Sequence, residues 1–261
     1  MNKERPLIMI SNDDGYTAKG LYHLIDCINA SGINAEIIAV APQGHSSGMS
    51  SAITVDKAMR LVEQADYNGA KIYYVTGTPV DCVKLGFHAA MPRRPDLMLS
   101  GINHGSNAGN SLIYSGTMGA AMEACMIGIP AIGYSLLNHA SDADFSGTTE
   151  LIQKITRTVL EKGLPKGICL NVNFPANCTP KGIKVTKSAP GRWTEEYKRY
   201  EDPHGRPFYF LTGHYINEAP DDESTDMYWL DREWATITPV QPDQTAFGEI
   251  PALKKLFDWA E

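Results

Sequence analysis

Residues 6–15, Pro-Leu-Ile-Met-Ile-Ser-Asn-Asp-Asp-Gly, decide the fold of this chain: a short apolar run passes directly into a polar turn. A run of this length that ends at a polar turn is typical of a strand buried on both faces of a parallel sheet. The segment from Gly20 to Ala30 follows, with apolar residues at the helical spacing i, i+3, i+4 and i+7. The stretch therefore predicts the first β–α unit of an α/β protein.

The same alternation continues through the first two thirds of the chain and predicts a parallel sheet with helices on both faces. Further strands are predicted at 34–40, 71–75, 97–100, 131–134 and 167–172, a strand-like segment at 52–55, and helices at 79–90, 116–127 and 148–160. The pattern changes after Pro175, where the segments are rich in aromatic and acidic residues. These segments predict hairpins at 182–186, 207–212 and 233–238, and a short terminal helix at 251–259.

Composition excludes several classes of protein. The chain of 261 residues has a formal net charge of −7, and residues 181–261, with 10 Lys or Arg and 15 Asp or Glu, carry −5 of it. Because no Lys/Arg run is present, this balance argues against a nucleic-acid polymer as partner. The longest apolar stretch, Met118 to Tyr134, is interrupted by Glu123 and Pro130, so we expect no membrane span. The lack of a signal peptide and five scattered cysteines without a CxxC pair predict a cytoplasmic protein.

Four polar motifs follow predicted strands, and open parallel sheets bind ligands beyond the carboxyl ends of their strands. The first motif holds the adjacent carboxylates of Asp13 and Asp14, which repel each other unless a cation or a hydrogen-bond donor compensates. Its alternative role is an Asx turn that caps the next helix. The motifs are SNDDG (11–15), QGHSSGMSS (43–51), SGINHGSNAGN (100–110) and YSGT (114–117).

The other motifs supply neutral oxygen atoms and backbone N–H groups. The second and third are also compatible with a flexible linker and a Gly/Asn turn region. The fourth opens a helix, where hydroxyls and unpaired N–H groups form a phosphate site, an N-cap at Ser115 or Thr117, or both. Another segment, 76–82, also begins a helix, and its Asp81 is a helix cap, a packing residue or a substrate contact. Acidic metal ligands beside an anion-binding helix start favour a phosphatase or nucleotidase.

In this order, the motifs resemble the survival protein E (SurE) family of metal-dependent 5′/3′-nucleotidases. The resemblance covers nearly the whole chain: besides SNDDG it includes GTPVDCV (77–83), PDLMLSGINHGSNAG (95–109), YSGTMGAA (114–121), LNVNFP (170–175) and TITP (236–239). It implies a three-layer α/β/α sandwich with a Rossmann-like, mostly parallel sheet. It also implies a C-terminal extension, made of a β-hairpin and a helix, for oligomerisation.

The resemblance implies the ligands as well. One divalent ion per subunit, Mg²⁺ or Mn²⁺, is expected on Asp13, Asp14, Ser47 and Asn103, with Ser46 as the alternative to Ser47 if the loop shifts register. The phosphate is expected on Asn107, Ser115, Gly116 and Thr117. His45 and His104 are the histidines nearest this site, and each is either structural or a contact to the leaving group or the base.

The implied reaction is hydrolysis of nucleoside 5′- and 3′-monophosphates, with short polyphosphate as a substrate of some members. Attack by a metal-activated water is expected, with a covalent aspartate nucleophile as the rival mechanism. We expect a catalytic domain at 1–180 and an extension at 181–261 that is exchanged within a homodimer or homotetramer, because interfaces are enriched in Trp and Tyr. The competing functions are a non-catalytic phosphate-binding regulator and a metal-dependent deacetylase or esterase.

Overall fold

The fold is that of a computed structural model, which describes residues 5–260. Within these residues, nine strands form one central sheet and four more form two small antiparallel sheets. The strands are β1 (Leu7–Ser11), β2 (Glu36–Pro42), β3 (Leu61–Glu63), β4 (Lys71–Val75), β5 (Leu97–His104), β6 (Ala131–Leu136), β7 (Cys169–Phe174), β8 (Ile183–Val185), β9 (Gly191–Thr194), β10 (Tyr197–Glu201), β11 (Pro207–Leu211), β12 (His214–Asn217) and β13 (Ala235–Val240). The helices are α1 (Lys19–Ala30), α2 (Pro79–Ala89), α3 (Gly116–Met126), α4 (Thr149–Lys162), α5 (Asp226–Leu230) and α6 (Ile250–Leu256).

The central sheet runs in the order β3-β4-β2-β1-β5-β6-β7-β13-β8. The six strands from β4 to β7 are parallel, whereas β3 pairs antiparallel with β4 and β13 pairs antiparallel with β7. The chain builds the sheet outward from β1 on one side and then continues with β5 on the other, and ligands bind at such a switch point. The carboxyl ends of β1 and β5 therefore bring two of the polar motifs together.

Helices cover both faces of the sheet. One core cluster joins α1 and α4 to Ile8 and Ile10 of β1, and the other joins α2 and α3 to Leu7 and Met9. Successive side chains of a strand point to opposite faces, so β1 is buried on both sides, as its continuous apolar run predicts. The predicted α/β/α arrangement with a mostly parallel sheet is confirmed.

The C-terminal segment differs from the prediction in two places. The hairpin at 207–212 is present as β11 paired with β10, but 182–186 and 233–238 are not hairpins. They contain β8 and β13, which belong to the central sheet, and β13 lies between β7 and β8. The hairpin prediction was wrong because β13 pairs with β7, which precedes it by more than 60 residues and leaves no local signal.

Residues 52–55 and the C-terminal helix also differ in part from the predicted elements. Residues 52–55 form no strand; Thr54 instead donates its N–H and hydroxyl to Asp81, and the unpredicted β3 covers the sheet edge. The terminal helix is present as α6, and its side chains are exposed. No helix within residues 5–260 combines the length and the apolar character needed to cross a membrane.

Candidate active site

The turn after β1 is held by Asn12 and not by the two aspartates that follow it. Asn12 Nδ2 donates to the carbonyl oxygen of Gly15 at 2.9 Å, and Gly15 N–H donates to Asn12 Oδ1 at 3.2 Å. Gly15 adopts φ +101°, a conformation that favours glycine. Asn12 therefore makes an Asx turn, but this turn does not cap α1, whose N-cap residue Ala18 receives no side-chain hydrogen bond. The carboxylates of Asp13 and Asp14 bind other partners.

Asp13 is buried, with 3% of its surface exposed, and contacts the start of α3. Thr117 Oγ1 donates to Asp13 Oδ1 at 2.5 Å. A Cβ on Gly116 would lie 2.9 Å from Asp13 Cβ, so the glycine allows the helix to approach this closely. Burial raises the pKa of Asp13 to about 6; the Thr117 hydroxyl opposes this rise and the negative charge of Asp14 adds to it. The ionised carboxylate is thus poorly compensated by the protein alone.

Asp14 lies between two histidines. Its Oδ2 accepts a hydrogen bond of 3.0 Å from the backbone N–H of His104 and lies 3.1 Å from His104 Nδ1. Its Oδ1 lies 3.5 Å from His45 Nδ1, which in turn lies 3.2 Å from Ser47 Oγ. Both histidines named from the sequence therefore contact a predicted metal ligand directly.

Asn103 is placed by an irregularity in β5. The register between β5 and β6 shifts between Ser100 and Asn103, and a Cβ on Gly101 (φ +128°) would collide with the carbonyl oxygen of Tyr134. Asn103 Nδ2 donates to the carbonyl oxygen of Gly105 at 2.9 Å. With the amide nitrogen used in this way, the side-chain oxygen is the atom that can bind a ligand.

A cavity of about 580 Å³ opens onto these groups and has two walls. The sheet wall comprises Asp13, Asn103, Asn107 and Ser115, and the hairpin wall comprises Trp193, Glu196, Tyr197, Leu211 and Thr212. Ser47 and His104 also line the cavity. Four predicted residues are not part of the lining: Asp14, His45, Gly116 and Thr117. Thr117 contacts the lining residue Asp13, and His45 contacts Asp14. Ser46 is not part of the lining either, and its N–H donates to the carbonyl oxygen of Asp13.

Several predicted residues make structural contacts. Ser115 caps α3, since its Oγ accepts from Met118 N–H at 3.0 Å. Asn107 donates its Nδ2 to Ser135 Oγ at 2.7 Å, which fixes the amide against the sheet. Asp81 forms a capping box with Thr78 at the start of α2 and is not part of the cavity lining. A helix cap is therefore the observed role of Asp81.

His139 and the hairpin wall are parts of the site that were not predicted from the sequence. A Cβ on Gly105 (φ +117°) would collide with the His139 ring, so the glycine gives this ring its place in the cavity. The hairpin wall comes from residues that follow the catalytic motifs by about 80 positions and carry no ligand-binding pattern. The aromatic enrichment of this segment was the one available signal.

The donor groups define the chemistry that the site can support. Two carboxylates, a hydroxyl and an amide oxygen are hard ligands of the type that Mg²⁺ and Mn²⁺ accept. Among residues 5–260, no group of three or more His, Cys, Asp or Glu side chains is arranged so that these side chains alone could hold a metal ion. The arrangement suits a cation that shares its coordination with an anionic ligand.

The fold and the site together define a class: an α/β protein with a polar ligand site at the switch point of a parallel sheet. The chain belongs to the SurE family, since the family model described as Survival protein SurE matches residues 8–195. This match confirms the resemblance found in the sequence motifs.

Similar proteins match this chain over nearly its full length. A protein of Phocaeicola vulgatus named 5′-nucleotidase SurE is 47% identical over 254 residues, which are 97% of this chain and 98% of that protein. A protein of the same name from Christiangramia forsetii is 43% identical over 265 residues, which are 100% of this chain and 99% of that protein. The crystal structure of the SurE protein from Aquifex aeolicus has a TM-score of 0.81 and 31% identity, over 96% of this chain and 99% of that one.

Proposed function

We propose that this chain is a metal-dependent phosphomonoesterase that hydrolyses nucleoside 5′- and 3′-monophosphates to nucleoside and phosphate. The observation that carries the proposal is the 2.5 Å hydrogen bond from Thr117, at the start of α3, to Asp13. A helix N-terminus attracts phosphate, whereas a pair of carboxylates repels it. The two features suit one ligand if a cation binds with it. The name 5′-nucleotidase SurE of the similar proteins supports a nucleotide as the substrate.

The donor set fits one divalent ion, Mg²⁺ or Mn²⁺, per subunit. Asp13 is buried and its pKa is raised, so a bound cation would favour the ionised carboxylate. We assign Asp13, Asp14, Ser47 and Asn103 as the residues that would hold the ion. When bound, such an ion neutralises phosphate charge and activates water for attack on phosphorus.

Other residues of the chain position the phosphate and the aspartates. We assign the backbone N–H of Gly116 as a phosphate contact, because the first N–H groups of a helix have no intrahelical partner. We also assign Ser115 and Asn107, which line the cavity beside this helix start. Thr117, which was predicted to bind phosphate, directs its hydroxyl to Asp13, and this contact supports a positioning role. His104 holds Asp14 through its backbone N–H, which likewise supports a positioning role.

His104 and His45 both remain candidates for a contact to the leaving group or the base. The side chain of His104 lines the cavity but is only 13% exposed, whereas the side chain of His45 lies outside the lining and is 70% exposed. The Nδ1 atom of His45 is close to both Asp14 and Ser47, so a change in the orientation of the His45 ring would change the contacts of the Asp14 carboxylate. A His45→Gln variant that lost nucleotide hydrolysis but kept hydrolysis of p-nitrophenyl phosphate would support the base contact.

We further propose a catalytic domain at 1–180 and a C-terminal extension at 181–261 through which the subunits of a cytoplasmic homodimer or homotetramer assemble. Because β8 and β13 of the extension belong to the central sheet and the hairpin wall lines the cavity of the same chain, we propose that α6 is the part exchanged between subunits. Large apolar side chains of α6 and of the segment after it are exposed in the single chain, among them Leu253, Leu256 and Trp259. The hairpin β10–β11 also exposes Tyr209 and Phe210. Contiguous exposed apolar side chains of this kind mark interaction surfaces.

The assay that tests the proposed function compares 5′-AMP, 3′-AMP, p-nitrophenyl phosphate and tripolyphosphate, each with Mg²⁺, Mn²⁺ or EDTA. We expect hydrolysis of both nucleotides with the metal ions and its loss with EDTA. Asp14→Asn should abolish turnover, and the matched control Asp221→Asn, at an exposed position, should stay within about twofold of the parent. Equal turnover with EDTA, or no turnover of any phosphate ester, would refute the proposal.

The rival mechanism is tested separately. Single turnover in ¹⁸O-labelled water should place the label in phosphate and leave both aspartates unlabelled. Label in the carboxylate of Asp13 or Asp14 would instead indicate a phosphorylated aspartate that water hydrolyses at its carbonyl carbon. Because attack of water on the phosphorus of such an intermediate also labels phosphate, acid quenching of a single turnover with ³²P-labelled 5′-AMP must in addition leave no ³²P on the protein.

A further inference from the structure

We propose that Trp193 is the platform on which the base of a nucleotide stacks, at the border between the catalytic cavity and a second cavity of about 710 Å³. This inference rests on the proposed function, because it identifies where the part of the substrate beyond the phosphate binds. The ligand class is a planar aromatic heterocycle that carries a phosphorylated ribose.

The two cavities share part of their walls. Tyr114, Trp193 and Glu196 line both of them. Tyr114 directly precedes Ser115, the N-cap of α3, so the shared border begins beside the expected phosphate position. If the phosphate of a nucleotide binds at the start of α3, its nucleoside part therefore extends to this border. The second cavity also presents neutral polar groups that can pair with the edge of a base: Ser51, Asn110, Gln241 and Gln244.

Trp193 is exposed to the cavities but fixed from behind. The residue is 38% exposed, and its ring packs edge-to-face on Tyr215, with the ring centroids 6.0 Å apart. The Tyr215 hydroxyl donates to the carbonyl oxygen of Ala189 at 3.1 Å and accepts from Asn110 N–H at 3.1 Å. A Cβ on Gly191 would lie 2.5 Å from the Tyr215 hydroxyl oxygen, so only glycine leaves room for this ring. An aromatic face held in this way is organised for stacking before the ligand arrives.

The charges at the border favour a base over a chain of phosphates. Glu196 lines both cavities and would repel a second phosphate group. Arg192, which lines the second cavity, forms an ion pair with Glu218. A neutral heterocycle is not repelled by Glu196 and does not need the Arg192 cation as a partner. Any of the bases can stack on an aromatic ring.

The experiment compares substrates with and without a base in Trp193→Ala and Trp193→Phe. In Trp193→Ala, we expect kcat/KM for 5′-AMP to fall roughly ten- to hundredfold, while kcat/KM for ribose 5-phosphate changes less than about twofold. Trp193→Phe keeps an aromatic face and should retain most of the activity on 5′-AMP. Adenosine, the dephosphorylated product, should quench tryptophan fluorescence in the parent and lose this effect in Trp193→Phe.

Each outcome separates this inference from the proposed function. Equal losses on 5′-AMP and ribose 5-phosphate would overturn the stacking role while leaving the nucleotidase activity in place, and so would unchanged activity on 5′-AMP. A matching loss on tripolyphosphate would also overturn it, since that substrate has no base. Failure of the parent protein to hydrolyse any phosphate ester would refute the proposed function itself.

Discussion

The two walls of the catalytic cavity are built on different principles. In the sheet wall, Asp13 is 3% exposed and Asn107 is 5% exposed, and each is held by a hydrogen bond to a neighbouring element. In the hairpin wall, Tyr197 is 69% exposed and Leu211 is 71% exposed, and both belong to short strands outside the central sheet. The groups that we propose to hold the cation and the phosphate are buried at the sheet edge, whereas those that we propose to select the substrate lie on strands outside the central sheet.

This difference decides where a substitution acts. Buried polar groups within a hydrogen-bonded network are costly to change, because a lost partner leaves another group unsatisfied. Exposed side chains on a hairpin have few partners to lose. We therefore expect the sheet wall to control turnover, the hairpin wall to control selectivity and the exposed helix α6 to support assembly. Four experiments test turnover, the link between the two walls and assembly.

The largest effect is expected from Asp13→Asn. The substitution keeps the shape of the side chain but removes the charge that would hold the cation, so kcat/KM should fall by at least about 10³-fold. The melting temperature should stay the same or rise, because a poorly compensated buried carboxylate is removed. The measurements are steady-state assays with Mn²⁺ and thermal unfolding of the metal-free protein. A stable variant with normal activity would show that the sheet wall does not control turnover.

Asp226→Ala tests the link between the two walls. Asp226 Oδ2 accepts from Gly109 N–H at 2.8 Å, next to the sheet wall, and Oδ1 accepts from Ala189 N–H at 2.9 Å, just before β9. Burial raises the pKa of Asp226, and these backbone hydrogen bonds oppose the rise. Removal of the carboxylate leaves buried N–H groups without a partner, so the free energy of unfolding should fall by about 3 kcal/mol.

Urea unfolding measures this loss, with Asp221→Asn as the exposed control. A change within about 0.5 kcal/mol would mean that the walls are held together by other contacts. Asp13→Asn and Asp226→Ala thus probe buried carboxylates with opposite consequences: the first should lose activity and the second should lose stability.

Thr117→Val should have a smaller effect. The substitution keeps the β-branched shape and removes the hydroxyl that donates to Asp13. Residues that orient a metal ligand in this way contribute roughly 10- to 100-fold to metal affinity or activity, so Mn²⁺ affinity should weaken by such a factor. Calorimetric titration with Mn²⁺ measures it, and Thr117→Ser, which keeps the hydroxyl, should restore the affinity. Parent-like Mn²⁺ affinity in Thr117→Val would show that this contact does not orient the ligand.

The smallest effect on the single subunit is expected from Leu253→Asp combined with Leu256→Asp in α6. Both side chains are exposed, so the free energy of unfolding of a subunit should change by less than about 0.5 kcal/mol. Light scattering should show a loss of the homo-oligomer, with activity per subunit within about twofold. A parent protein that is monomeric at micromolar concentration, or a variant with an unchanged mass, would refute the assembly role of α6.

The catalytic region could be predicted because its signals are local. The apolar run of β1 and its polar turn are contiguous, and the periodicity of α1 follows within ten residues. The carboxyl edge then brings separate motifs together by topology alone, as with Asp14 and the backbone N–H of His104, which lie 90 residues apart in sequence. The fold class and the meeting of these motifs follow from such patterns.

The remaining features depend on contacts between distant residues. Side-chain geometry decides that Asn12 bonds to Gly15 within its own turn and that Thr117 bonds to Asp13. The spacing of these residues in the sequence does not indicate either contact. The segments at 182–186 and 233–238 have strand patterns, but nothing local indicates that they pair within the central sheet. Trp193 lies in the segment that is rich in aromatic residues, but its place in the cavity depends on the β9–β12 pairing, which no local pattern indicates.

The position of β13 between β7 and β8 also has a consequence for how the chain is made. During synthesis, β8 leaves the ribosome some 50 residues before β13, yet it can join the sheet only after β13 has paired with β7. Until then β7 is an uncovered sheet edge, which is the kind of surface that pairs with other chains. A chain that stalls or is cut before residue 235 would therefore retain its aspartate pair but leave the edge of β7 unpaired, and we expect such a chain to aggregate more readily than the full-length protein.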